Sequence, residues 1–180
     1  MKKPLLRRIF NWLLHSLARS LPGGYGIRPM LHRLRGVKVG KGVFIAGEVY
    51  LENECPEAVE IQDGVQISLR AIVIAHTRGS GKIIIEKDAY IGPNAVIATS
   101  GGRVLRIGEG AVIGAGVAIS SDVAPHMFVA NPQAKPVARV LVPLPKAEKM
   151  EDFIRGLAPI LPHPRVARDR AKIPLVTLRS

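Results

Sequence analysis

The sequence predicts a mainly β chain wound as a parallel β-helix, with a helical segment in front and a Pro-rich basic tail behind. Three observations predict it. Aliphatic residues return every six positions through the middle of the chain, a small or β-branched residue stands four places after each, and the composition is 47% hydrophobic yet only 4% aromatic. A helix repeats at about 3.6 residues and a half-buried strand at about 2, so a sustained period of six belongs to neither. It is the mark of a triangular coil whose three sides each take one hexad, with coils stacked as parallel strands about 4.7–4.9 Å apart.

The aliphatic positions fall into four groups of three: Val39, Ile45, Leu51; Ile61, Ile67, Val73; Ile85, Ile91, Ile97; and Ile107, Ile113, Ile119. These are expected to look inward, as are the residues four places on, such as Val43, Val49, Cys55, Val65, Ala71 and Thr77. Gly often follows the aliphatic (Gly40, Gly92, Gly108, Gly114), where a tight corner wants little side chain or a positive φ. Steps within a group are always six, but the step between groups lengthens to ten (Leu51 to Ile61), twelve (Val73 to Ile85) and ten (Ile97 to Ile107). All insertions therefore follow the third hexad and stack along one corner. Insertions gathered on one edge mark a binding face, or are simply variable loops.

The expected organisation is an N-terminal helical segment over 1–36, the β-helix over 37–139, and a C-terminal helix and basic tail over 140–180. Pro4 to Leu21 fit a helix with Leu5, Leu6, Ile9, Phe10, Trp12, Leu13, Leu14, Leu17 and Leu21 on one face, opposite Arg8, Asn11, His15 and Arg19. Two readings of that face stand: a cap packed on the end of the β-helix, or a helix lying on a membrane surface. Lys2, Lys3, Arg7 and Arg8 ahead of Ile9 to Leu14 have the look of a leader, yet Asn11 and His15 interrupt the run and no small-residue cleavage site follows. The expectation is a cytoplasmic protein, soluble or peripheral at the inner face of the cytoplasmic membrane. At the other end, Lys146 to Leu157 carry a short helical pattern, and Arg165, Arg168, Arg170 and Lys172 read as a solvated tail.

His76 ends the third hexad of the second group, directly before the longest insertion, Thr77 to Lys82 (TRGSGK). Histidine titrates near neutral pH and is the usual side chain to take a proton from a hydroxyl, which makes His76 a candidate general base. In the proposed register Glu54, His76, Ser100 and Asp122 share one slot in successive coils. Glu54 is then the candidate to hold the second ring nitrogen, set against a plain solvated carboxylate. Backbone N–H groups of Gly79 to Gly81, or the Asn94 amide, are candidate donors to the oxyanion.

Lys and Arg outnumber Asp and Glu by 26 to 14, a formal +12, which favours anionic partners: CoA phosphates, an anionic membrane or nucleic acid. Nucleic acid is set aside, for want of interleaved aromatics or a recognisable module. Cys55, the single cysteine, excludes an internal disulfide and a cysteine-rich metal site, suits a reducing compartment, and is expected as a small buried filler.

In the ordered series GVKVGKGVFI, AIVIAH, IEKDAYIGPNAVI and RIGEGAVIGAGVAISSDVAPHMFVANPQAKPVARV, the chain resembles the left-handed β-helix hexapeptide-repeat acyltransferases. The sugar O-acetyltransferases of the galactoside, maltose and polysaccharide-modifying kind are the nearest in pattern, over about Arg35 to Arg139. The resemblance implies acetyl-CoA as donor, a saccharide acceptor, His76 as catalytic base and a homotrimer with active sites between neighbouring prisms. It implies that Gly114, Ala115 and Gly116 leave room for the pantetheine arm, with Ala130, Asn131, Pro132, Lys135 and Arg139 near the adenosine and phosphates. Ala130 and the extra Gln133 depart from the family's Gly-Asn-Pro-Ala-Lys.

Competing readings are N-acetylation of an amino sugar, a γ-carbonic-anhydrase-like metal hydratase, and a non-catalytic assembly or membrane-docking module. The hydratase needs three metal ligands, and His15, His32, His126 and His163 stand at no ligand spacing with His76, so no metal is expected.

Overall fold

The computed structural model describes residues 4–77, 79–132 and 136–159. It has two compact units, Met1–Pro132 and Gln133–Ser180.

In the first unit the hexads become three parallel sheets. The first side stacks Lys38–Val39, Val59–Ile61, Lys82–Ile85 and Val104–Ile107. The second stacks Phe44–Ile45, Gln66–Ile67, Tyr90–Ile91, Val112–Ile113 and Phe128–Val129, and the third Tyr50–Leu51, Ile72–Ile74, Val96–Ala98 and Ala118–Ile119. Pairing sets Val39, Ile61, Ile85 and Ile107 in one column, Ile45, Ile67, Ile91 and Ile113 in a second, and Leu51, Val73, Ile97 and Ile119 in a third. The register is the one the period predicts. Nearly all these side chains are buried in one continuous core, Val39 being half-buried, and each fully buried aliphatic contributes about 1.5–3 kcal/mol. An isolated bridge from Ile107 to Val123 and the strand Phe128–Val129 begin a further turn.

The corners differ from expectation in one respect. Positive φ falls on the third residue after the inward aliphatic: Gly42, Gly64, Asp88, Gly110 and His126 at the first corner, and Glu48, Arg70, Asn94 and Gly116 at the second. The glycine directly after the aliphatic instead answers to close stacking. A Cβ on Gly92 would stand 2.6 Å from the Ile113 carbonyl oxygen, and one on Gly108 would stand 2.4 Å from the Pro125 nitrogen.

The third corner, between the third side and the next first side, holds all the insertions. There the four-places-on rule fails: Cys55 is half-buried and Thr77 exposed. Val59, Ile83 and Leu105, each two residues before an inward aliphatic, fill the interior in their stead.

Helices α1 (Leu5–Ser20) and α2 (Ile27–Leu34) close the N-terminal end. They sit on the end as the cap reading expects, but the broad apolar face of α1 is not the packed one. Asn11, Leu14, His15 and Ala18 are buried, whereas Leu5, Leu6, Ile9, Phe10, Trp12, Leu13, Leu17 and Leu21 are exposed. The end of the first coil presents the Tyr50 ring, on which His15 packs edge-on at 4.7 Å, and the carbonyls of Leu51 and Glu52. Backbone oxygens out of water must find donors, and the buried Arg35 guanidinium, just after α2, supplies them. No helix of the described residues is long and apolar enough to cross a membrane.

In the second unit Ala138–Val140 pairs antiparallel with Leu157–Pro159, enclosing α3, Met150–Arg155. The helical pattern expected to run to Leu157 stops earlier, because Gly156 caps the helix and Leu157 joins the strand pair. Arg165, Arg168, Arg170 and Lys172 lie outside the described residues.

Candidate active site

The carboxylate on His76 belongs to Glu52, not Glu54. Nδ1 of His76 donates to Oε2 of Glu52 at 2.6 Å. Glu52 is completely buried, and every acceptor site is used: Oε2 also takes the Ala75 N–H at 2.8 Å, and Oε1 takes the N–H groups of Glu54 at 2.9 Å and Cys55 at 3.1 Å. Burial alone would raise this carboxyl's pKa, but the hydrogen bonds from His76, Ala75 and Cys55 together hold it below the ordinary range. An ionised carboxylate accepts only, so Nδ1 must carry the proton and Nε2 the lone pair. The His76 side chain is 37% exposed. The arrangement is a solvent-reaching imidazole whose tautomer is set by a buried carboxylate.

Local sequence explains how Glu52 comes to turn inward. It directly follows the inward Leu51, a place held on the same side by Ile74, Ala98 and Ser120 in later coils. The chain then leaves the ladder through a 3-10 turn, Pro56–Ala58, which brings the N–H groups of Glu54 and Cys55 round onto the carboxylate. Arg35 secures the same segment from below. Fully buried, its guanidinium donates to the Leu51 and Glu52 carbonyls and, at 3.1 Å, to Asn53 Oδ1, and burial lowers its pKa to about 10. The signal in the sequence was a lone charge in an otherwise uncharged column.

Glu54 is set apart by the same turn. Its side chain faces outward to Arg8, 4.0 Å away. Extending the strand register places Glu54, His76, Ser100 and Asp122 in one column, yet Asp122 Oδ1 is engaged with the Arg106 N–H at 2.9 Å. Cys55 enters through its backbone N–H rather than as buried filler. In the loop after His76, Gly81 sits where a Cβ would come 2.6 Å from the Ala75 carbonyl oxygen, so only glycine lets the chain pass.

Asn94 does not meet His76 within the chain. It lies at the second corner, before strand Val96–Ala98, whereas His76 follows the parallel neighbour Ile72–Ile74. Beside Asn94 is a cavity of about 430 Å³ lined by Tyr50, Arg70, Ile72 and Ile74 among others. Gly114, Ala115 and Gly116 occupy the same second corner in the fourth coil. Ala130 and Asn131 join them: the Asn131 side-chain amide donates to the Gly116 carbonyl at 2.8 Å, and a Cβ on Gly114 would lie 3.5 Å from that of Ala130. A Cβ on Gly116 would meet nothing closer than 3.8 Å, so the strip is open there, whereas one on Gly114 would lie 3.1 Å from the Val129 carbonyl oxygen. Pro132 follows directly, Lys135 lies outside the described residues, and Arg139 stands in the second unit's strand pair, opposite Ala158. Among the described residues no group of three or more His, Cys, Asp or Glu could hold a metal ion.

Stacked coils of six-residue repeats place the chain among the hexapeptide-repeat proteins. Within that class it is similar to "Putative acetyltransferase YvoF" of Bacillus subtilis (strain 168), 31% identical over 133 residues, 70% of this chain and 74% of that one. The chain belongs to this family of hexapeptide-repeat acetyltransferases. No family model matches it.

Proposed function

We propose that the protein transfers the acetyl group of acetyl-CoA to a hydroxyl of a saccharide, with His76 as general base and Glu52 as the residue that positions it. The observation carrying this reading is the 2.6 Å hydrogen bond from His76 Nδ1 to a buried, fully bonded Glu52. Acetyl-CoA supplies an activated acyl carbon. Nε2 of His76 takes the acceptor hydroxyl's proton as its oxygen bonds to that carbon, and Glu52 stabilises the imidazolium so formed. The carbon–sulfur bond then breaks, and His76 returns the proton to the departing sulfur. The products are an O-acetyl ester and free CoA, and the histidine ends as it began.

The open strip at Gly114–Gly116 and Asn131 suits a pantetheine arm, which needs a path along the backbone unobstructed by side chains. That strip and His76 lie on different edges of the prism, at the second and third corners. Between them the third side turns an apolar outer surface outward, Ile72, Ile74, Val96 and Ala98, all half-buried. In our reading that surface meets the next left-handed prism of a homotrimer, setting one copy's His76 against its neighbour's strip.

His76→Ala tests the role. The variant is expected to keep its oligomeric mass in analytical ultracentrifugation and its acetyl-CoA affinity in calorimetry, while turnover on a hydroxyl acceptor falls by about 10²–10⁴. A near wild-type rate in this variant removes His76 from the chemistry.

A further inference from the structure

Helix α1 leaves most of its large apolar side chains exposed. Leu6 is 82% exposed, Trp12 58% and Leu13 48%, and Phe10 and Leu17 share the same half of the helix. A contiguous apolar surface of this kind marks a place of attachment. The helix contains no acidic residue, and its cations flank the apolar sector: Arg8 and Arg19 on one side, Arg7 on the other. Lys2 and Lys3 precede it in a chain of net +12.

This pattern discriminates between occupants. A second copy set face to face would bring its own Arg7, Arg8 and Arg19 against these, with no carboxylate on either helix to offset them. A bilayer surface with anionic headgroups satisfies both halves, taking the leucines and Trp12 at the acyl boundary and the arginines among the phosphates. The helix, 16 residues long, lies flat on such a surface rather than spanning it.

We propose that α1 docks the protein on an anionic membrane surface, its polar face closing the first coil and its apolar face resting in the bilayer interface. The same helix lines a cavity of about 310 Å³ in which Leu5, Arg8, Ile9 and Trp12 face Asn53 and Glu54. Those two residues directly follow Glu52, so docking brings the third corner close to the membrane.

Trp12 is the single tryptophan of the chain and reports on the helix directly. The full chain is mixed with vesicles of phosphatidylcholine alone, or with a quarter phosphatidylglycerol, and followed by flotation and tryptophan emission. Docking predicts flotation and a blue shift with the anionic vesicles, much reduced with neutral ones or in high salt, and quenching of Trp12 by brominated lipid. Leu6→Glu/Leu13→Glu is expected to weaken binding at least about tenfold, since each buried leucine is worth roughly that factor, with unchanged circular dichroism and oligomeric mass. Should that variant fail to fold, quenching of the wild-type Trp12 decides alone. Absence of flotation and quenching at low salt overturns the proposal. So does equal binding to neutral vesicles, or a Trp12 already blue-shifted without lipid in a protein whose oligomeric mass the variant changes, which would assign the face to a second copy. None of these outcomes depends on acetyl transfer.

Discussion

The first two corners of the prism and the third are built from the same repeat but put to different uses. At the first two, each coil turns in the same number of residues through one left-handed position, such as Asp88 or Asn94, and is held to its neighbour by backbone hydrogen bonds such as Asn94 N–H to the Leu69 carbonyl. At the third the chain departs from the ladder, and N–H groups released from strand pairing at Glu54, Cys55 and Ala75 converge on a buried carboxylate. Where a backbone donor at a regular corner meets a side chain, as Lys41 N–H meets Asp63 Oδ1, the pair is exposed. An irregular corner, supported on a regular core, can hold a charge out of water and aim a histidine with it.

The sharpest test of that contrast lies within the third corner. Glu52→Gln is expected to lower turnover by about 10²–10⁴, because an amide no longer stabilises the imidazolium or fixes the ring tautomer. Glu54→Gln, whose side chain reaches only Arg8, is expected to change it less than about threefold. Steady-state kinetics on both variants separates the two, and equal losses would break the assignment.

Beneath the regular corners the expected effect is on stability. Ile91→Ala removes a fully buried side chain from the continuous core and should cost about 2–5 kcal/mol in urea unfolding. The N-terminal lid responds to pH. Burial, and after it the nearby positive charges of Arg35 and Arg19, lower the His15 pKa from 6.5 to about 3, and burial with Arg35 lowers that of His32 as well. The folded state thus keeps both rings neutral while the unfolded chain takes up protons. Stability is full above pH 6.5 and falls as pH drops toward about 3, by about 1.4 kcal/mol per unit for His15, hence about 2 kcal/mol at pH 5. Urea midpoints across that range should fall less steeply in His15→Gln, the remaining slope coming from His32. The smallest effect expected is at a single left-handed position: Asp88→Val, at φ 55°, should lower stability by about 1–2 kcal/mol, read from the thermal midpoint.

Much of the scaffold was legible because a solenoid is close to one-dimensional. Each hexad contacts its equivalent in the next coil, so Ile67, Ile91 and Ile113 had to align once the step was known. His76 was legible for a related reason, standing where the period breaks. Glu52 was overlooked because same-slot reasoning pairs Glu54 with His76, whereas the carboxylate that reaches the ring stands two residues earlier, in the slot of Ile74 and Ala98. The strip at Gly114 to Gly116 with Asn131 was reached through resemblance, and its distance from His76 needed coordinates.

By itself, then, the sequence determined the repeat, its register and the corner at which it fails, since these depend on spacing along the chain alone. Tertiary structure decided which carboxylate turns inward and which face of α1 turns outward. Both depend on what lies opposite in space. The N–H groups released at the third corner hold Glu52 inward, and the end of the first coil meets α1 through Tyr50 packed on His15, leaving the leucines of α1 outside.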